Sequence, residues 1–331
     1  MNKYRLEKYR CNYSNWNNFI ENNVSLYTIA SNPSIVGLLE KSFNWMGENL
    51  FIYNGSQLIG VFNYIKIDNK TVSIPHFSYG GLLVSEEYNS NKEDIYNAIY
   101  KYLDIDSFEI RSFEKISNFY NDDKVTNFLY LQDSEDKQLN FFKSKLRSQI
   151  KKGYKNGLIG KYGGKELLDE FYHIYSSNMH ALGSPVLGKY FFKNVFQNYK
   201  YGDAKIFCIY FNDKVIASSL VLSYLNFSEV CWASTLREYN KLSPNMVLYW
   251  EMMKYAVDNN KYVFSFGRGS KDGSTNKFKK QWGAEERQLY FNYSEKQTAQ
   301  LKKMKFLSKI WSKLPLSFVN YLGPKIAKRL Y

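Results

Sequence analysis

Two stretches of the chain share one pattern of apolar and polar positions. Phe51–Ile67, FIYNGSQLIGVFNYIKI, can be laid over Cys208–Tyr224, CIYFNDKVIASSLVLSY, so that Ile52-Tyr53 and Leu58-Ile59-Gly60 fall 157 residues before Ile209-Tyr210 and Val215-Ile216-Ala217. Both read as strand, tight polar turn, strand. Each is followed by another β-rich stretch (Thr71–Val84; Phe227–Leu236), a helical pattern (Asn91–Leu103; Pro244–Asn259) and a short strand (Ser107–Arg111; Tyr262–Phe266). The order β-β-β-α-β thus occurs twice at one spacing, which predicts two copies of one α/β unit, each with a mixed sheet.

Length agrees, since 331 residues suit two domains of about 150 better than one core. With 44% hydrophobic and 23% charged residues the chain belongs with folded globular proteins, which excludes collagenous, low-complexity and disordered classes. No apolar run approaches the roughly 18 to 20 residues of a spanning helix, and the opening MNKYRLEKYRCNYSNW lacks the apolar stretch of a secretory signal, so a cytoplasmic protein is expected. Cys11, Cys208 and Cys231 are too few and too far apart for a disulfide framework or a zinc site, and read as buried thiols. His76, His173 and His180 are the only histidines, with no HExxH or CxxC context, so no metal is expected.

Charge changes the picture in two places. From Lys296 to Tyr331 there are nine Lys or Arg and no Asp or Glu, which leaves 36 basic against 31 acidic residues in the rest of the formal +14. Apolar residues from Phe306 and Leu307 through Trp311 to Phe318 and Leu322 interleave with these bases, interrupted at Pro315 and Pro324. This amphipathic tail would lie on an anionic membrane surface, or else dock on the body. The second cluster, Lys143 to Lys155, follows Asp133, Ser134, Glu135 and Asp136, acids first and bases last along one expected helix with Asp133 or Ser134 as N-cap and Gly153 or Gly157 near its stop. Lys143, Arg147 and Lys151 would share a face there, either to clamp a phosphate or simply to meet solvent.

The order of elements in each half resembles the acyl-CoA N-acyltransferase (GNAT) fold. The stretch Gly267-Arg268-Gly269 through Phe278-Lys279-Lys280-Gln281-Trp282-Gly283 is similar to the "FGR … FKK.WG" motif of Fem-type aminoacyltransferases and their exopolysaccharide-associated relatives. Leu146-Arg147-Ser148-Gln149-Ile150-Lys151-Lys152 resembles the family's "R.QI+K" helix, and Met179-His180-Ala181-Leu182-Gly183-Ser184-Pro185 its "M..LG(T/S)P" turn. The resemblance implies an α/β (α+β) protein of two tandem GNAT-like domains with mixed sheets, 1–132 and 133–295, and a basic amphipathic helical tail, 296–331. It further implies transfer of an amino acid from aminoacyl-tRNA to an amine of a lipid- or nucleotide-linked peptidoglycan or surface-polysaccharide precursor. No permanently bound cofactor is implied, and the cytoplasmic protein would sit peripherally on the inner membrane face.

Acyl transfer to an amine requires an accessible carbonyl, a neutral amine and a group that stabilises the oxyanion. The resemblance points to Lys279 for polarising the donor carbonyl or holding a nearby phosphate. Arg268 follows a strand in a loop whose Gly267, Gly269 and Gly273 let backbone approach a ligand; the bland reading is a structural turn with solvated lysines. Arg147 and Lys151 are expected to grip the acceptor's diphosphate. His180, Ser184 and Tyr190 are expected to line the groove between domains, with Phe278 and Trp282 in the binding motif, whereas His173 is left to a core or surface role. CoA-dependent GNAT enzymes carry a glycine-bearing RxxGxG/A turn that cradles the pyrophosphate, and here Ser234–Asn245 contains no glycine while Gly80–Glu87 brings acids instead. The alternatives are therefore an acyl-CoA-dependent N-acyltransferase acting on an amino sugar and, third, a non-catalytic tandem domain that binds nucleic acid or a charged glycan.

Overall fold

Both hairpins form where the repeat places them. In the computed structural model, which describes residues 3–9, 13–297 and 308–330, the first half contributes β1 (Arg5–Tyr9), β2 (Met46–Asn54), β3 (Gln57–Ile67), β4 (Lys70–Val72), β5 (Leu82–Val84), β6 (Ser107–Ser112) and β7 (Phe119–Tyr130). The second contributes β8 (Ile159–Gly163), β9 (Gly202–Phe211), β10 (Lys214–Tyr224), β11 (Phe227–Thr235), β12 (Val263–Ser265), β13 (Gly269–Ser270) and β14 (Glu285–Tyr293). In the β9–β10 turn Asn212 and Asp213 take φ of 48° and 60°, the left-handed values a two-residue hairpin loop requires. Each hairpin carries a bulge where one residue has no partner, Ile59 in β3 and Ile216 in β10, and these two positions match in the repeat.

Pairing joins all of this into one sheet in the order β1-β2-β3-β4-β6-β14-β7-β12-β11-β10-β9-β8, with β5 on β3 and β13 on β7. The order is close to a palindrome: β4 runs parallel to β6 as β11 does to β12, each pair joined through a helix, α3 (Lys92–Leu103) in the first half and α8 (Pro244–Asp258) in the second. At the centre the halves exchange a strand, because β7 pairs β12 of the second half and β14 pairs β6 of the first.

Alternation along the strands explains the layers. In β9, Ile206 and Cys208 face a cluster shared by both halves, while Phe207 and Ile209 face another. The shared cluster is covered by α1 (Ser14–Asn23), α2 (Ser34–Phe43), α6 (Leu168–Ala181) and α7 (Lys189–Asn198). On the opposite face α3 covers a cluster of its own, and α8 with α5 (Ser144–Lys155) covers a second. Cys208 is buried, its thiol pushed up to about 12 by burial, Cys231 is half-buried, and Cys11 lies outside the described residues.

Two expectations are corrected here. The helix expected from Ser134 to Lys155 is two, α4 (Glu135–Phe141), capped by Ser134, and α5. Phe142 is extended (φ −75°, ψ 146°) and sits edge-on to Trp250 and Trp282, so burying its ring breaks the helix. The tail is not interrupted at Pro324: one helix, Leu316–Ala327, runs through it, with Pro315 at its N-cap. That helix buries Val319, Gly323 and Ala327 at four-residue spacing, Gly323 lying against Val186. Phe306 and Leu307 lie outside the described residues. No helix among the described residues is long and apolar enough to cross a membrane.

Candidate functional site

In each half the parallel strands run together for three residues and then part. β4 and β6 pair from Lys70–Ser107 to Val72–Glu109, and β11 and β12 from Phe227–Val263 to Glu229–Ser265. Parting strands leave a wedge beyond their carboxyl ends, the usual ligand position in open α/β sheets.

The two wedges differ. In the first half the chain leaves β4, bonds β6 through Ser73 N–H to Glu109 O at 2.9 Å, loops out over 74–79, and returns with Gly80 N–H on Arg111 O at 2.8 Å. Beyond this point a cleft of about 870 Å³ opens between Gly80–Val84 on one side and Ser112–Phe119 on the other, with Lys92, Tyr96 and Tyr100 of α3 along it and Tyr79 at its inner end. In the second half the corresponding space is occupied by the loop that the first half has thrown out. Ser78 Oγ donates to Glu229 Oε1 at 2.7 Å, the Tyr79 hydroxyl donates to Glu229 Oε2, and the Phe77 ring meets Trp232 edge-on at 5.9 Å.

A buried polar cluster results at the junction of the halves. Ser265 Oγ donates to Glu229 Oε2 at 3.1 Å and accepts from Gly267 N–H at 3.1 Å. Arg268 N–H donates to Ser78 Oγ at 3.2 Å, and its part-buried guanidinium, lowered to about 10 chiefly by burial, reaches Phe77 O at 3.5 Å and stands over the Phe291 ring. Gly267 has φ +66°, and a Cβ there would lie 2.7 Å from Val230 O, so only glycine lets the motif loop pass this close to β11. Lys279, on the short helix α9 (Ser274–Lys280), is 5% exposed and donates to Gly267 O at 2.6 Å and Arg268 O at 3.0 Å.

Burial sets the protonation of these groups. It raises the Glu229 carboxyl above its ordinary value, against the pull of three hydroxyl donors and the Lys279 charge. It pulls Lys279 down to about 8, with Glu229 opposing. Tyr79 is raised well above 10 by burial and by Glu229, so its hydroxyl keeps its proton. Next to the cluster His76 adopts φ 67°, packs against Phe43 and Trp45, and is lowered to about 3 by burial and by the charges of Arg111 and Arg268. Arg111 is fully buried and donates to Glu109 Oε1 from Nε at 2.9 Å and Nη2 at 2.7 Å, while Lys70 donates to Oε2 at 2.8 Å.

The sequence-derived residues are spread over three regions. Arg268 and Lys279 belong to the cluster. Phe278 and Trp282 pack beneath α8 with Tyr249, Trp282 fully buried. Arg147 caps the end of α4 through Asn140 O and Phe142 O at 3.2 and 2.8 Å, and Lys151 is exposed on α5. His180 holds the C-terminal segment through Leu314 O at 2.8 Å, Ser184 closes the turn after α6 by bonding Met179 O, Tyr190 is exposed on α7, and His173 is exposed on α6. Ser78, Tyr79, Glu229, Ser265 and Arg111 were missed. Glu229, a lone carboxylate in the otherwise uncharged stretch Phe227–Leu236, was the available signal.

Residues 140–280 match the family described as Acetyltransferase (GNAT) domain. Among solved structures the chain is similar to FemX (14% identity, TM-score 0.65, 91% of this chain and 100% of that one) and to L-PGS from Bacillus licheniformis (12%, 0.54, 92% and 98%). A tandem GNAT protein from the clavulanic acid biosynthesis pathway also aligns (8%, 0.53, 89% and 100%). At these identities the likeness concerns the fold. No curated protein sequence matches.

Proposed function

We propose that this chain, a transferase with the tandem GNAT fold of the Fem-like proteins, moves an amino acid from aminoacyl-tRNA to an amine of a peptidoglycan or surface-polysaccharide precursor. The observation that carries the reading is the junction at Tyr79, where the open cleft of the first half ends on a ring bonded to the buried carboxylate of the second. An acceptor lying in that cleft would present its amine beside the cluster that unites both halves' polar groups with the Fem-type motif residues. Arg268 and Lys279 supply the positive charge that a developing oxyanion needs.

The charge around the cleft supports an amine-bearing ligand. Glu93 and Glu114 line it beside Lys92 and Lys115, and Glu86, Glu87 and Asp94 crowd the start of α3. Carboxylates there complement the helix dipole themselves and repel a pyrophosphate, so a CoA-like donor is disfavoured at this end. The second half's wedge is filled by residues 77–79, which leaves little room for a pantetheine arm between β11 and β12. An acyl-CoA-dependent acyltransferase acting on an amino sugar remains the second reading, favoured by the GNAT match over 140–280. The exposed lysines and aromatic residues of the tail support a place at the inner membrane face.

The test is product formation by the full chain. Bulk aminoacylated tRNA and, separately, acetyl-CoA are offered with glucosamine or a lysine-containing muropeptide, and the acceptor is weighed by mass spectrometry. An amino acid added only with tRNA supports the proposal. Acetylation of glucosamine, together with the roughly 2.7 kcal/mol that CoA at 100 times its dissociation constant adds to stability, transfers support to the second reading. Neither product, from protein shown to be folded, refutes both.

A further inference from the structure

The two halves each place a glutamate at the end of a paired strand, and the two are treated differently. Glu109 is held by cations, Arg111 and Lys70, which is how a fold keeps a buried carboxylate permanently ionised. Burial alone would raise its carboxyl, but those charges hold it below its ordinary value. Glu229 is more deeply buried, 1% exposed, and among the described residues its side-chain hydrogen-bond donors are hydroxyls: Ser78, Tyr79 and Ser265. Hydroxyls can pass a proton along as well as donate one, whereas an arginine cannot give its proton up. Of these three, Tyr79 also lines the cleft.

We infer that Tyr79 and Glu229 are the proton-accepting pair of the transfer: the amine in the cleft gives its proton to the Tyr79 oxygen while the Tyr79 hydroxyl proton moves to Glu229. The inference rests on the acyl-transfer reading. The amine lone pair forms the N–C bond, the bond from the acyl carbon to its leaving oxygen or sulfur breaks, and the leaving atom takes a proton from solvent. Glu229 then returns its proton to solvent through Tyr79 and the cleft, so protons balance over a turnover. Tyr79 touches the acceptor, and Glu229 acts through it as a positioning and proton-holding residue.

The groups facing Glu229 favour such an exchange. Ser78 and Tyr79 approach from the loop, Ser265 from β12, Cys231 from β11 itself, and the charges of Lys279 and Arg268 from the motif segment. Tyr199, after α7, is also close enough to sense it. Burial and the neighbouring acids oppose ionisation and the two cations favour it, so opposing pulls act on the group that is to take up and release the proton.

The experiment has two arms. Infrared difference spectra of the full chain against Glu229→Gln, recorded from about pH 5 to about pH 9, follow the carbonyl stretch of an un-ionised carboxylic acid. The expected result is a band absent from Glu229→Gln that disappears as pH rises within this range and whose midpoint moves in Tyr79→Phe. A band that does not change with pH overturns the inference. In the transfer assay above, run with whichever donor and acceptor gives product, both variants are expected to lose about 100-fold in kcat with KM for the acceptor within about twofold, and Glu229→Gln to lose the rising limb of the pH profile. Native kcat and an unmoved profile in a folded Glu229→Gln would also overturn it. If no donor and acceptor pair is turned over, the transfer reading fails, while the infrared arm still decides whether Glu229 exchanges a proton.

Discussion

Lys279 Nζ donates to the main-chain carbonyl of Gly267 at 2.6 Å, fastening together two motifs twelve residues apart. With its second bond to Arg268 O, the ammonium is part of the loop's own framework as well as a source of positive charge for the site. Replacing Lys279 by Ala leaves two carbonyls without this donor, a cost of about 1–3 kcal/mol for each one that stays buried, and removes the charge. We expect turnover in the transfer assay to fall at least about 100-fold. A folded Lys279→Ala protein that keeps most of its activity would remove this lysine from the mechanism.

The same lysine sets a pH dependence of stability. Its folded value is lowered to about 8 from 10.5, so between those values the unfolded chain binds more protons than the folded one. Stability from this group therefore rises with pH across that window and is flat below it. Urea unfolding of the native chain and of Lys279→Met at a series of alkaline pH values should show the rise in the first and its loss in the second. Activity that needs the ammonium should decline as pH rises through the folded value of about 8.

Glu109 and Arg111 form a buried pair of the opposite kind. Glu109→Gln leaves the fully buried guanidinium without its carboxylate, and we expect a loss of about 3–5 kcal/mol, read by denaturant midpoint. Because the folded carboxyl titrates below its ordinary 4.5, its contribution is present above that value and disappears as pH falls through the lower folded value. The variant should therefore show a weaker acid dependence. Equal acid sensitivity in the two proteins would contradict the pairing.

The C-terminal segment is tied to the body and still offers a basic, partly apolar surface. Gly183, at φ +67°, lies so close to Ser308 that a Cβ would come within 2.2 Å of its carbonyl oxygen, and His180 holds Leu314. Phe318, Tyr321 and Leu330 are exposed beside Lys325, Lys328 and Arg329. Each basic group near an anionic surface contributes about 1 kcal/mol. Deleting residues 302–331, or changing Lys325 and Lys328 to Glu, should release the protein from phosphatidylglycerol vesicles in a sedimentation assay at physiological salt. Unchanged sedimentation would show that the helix serves only to pack against α6.

The repeat, its two hairpins, the helices α3 and α8, and the motif loop with Arg268 and Lys279 were all legible in the sequence, because strand alternation, turn residues and helical periodicity are set by neighbours a few positions apart. Even the bulges at Ile59 and Ile216 obey the repeat. What neighbours do not set, the sequence could not reveal. The exchange of β7 and β14 between halves joins residues far apart in the chain, as in Val263 opposite Tyr130 and Arg287 Nη2 on Tyr130 Oη. Tyr79 and Glu229 are separated by 150 residues and meet because one half's loop fills the other half's wedge. Local pattern determined that there would be two wedges. Which one stays open, and which carboxylate is left among hydroxyls at its inner end, was decided by long-range packing, where burial and charge pairing act on residues that have no common neighbourhood in the chain.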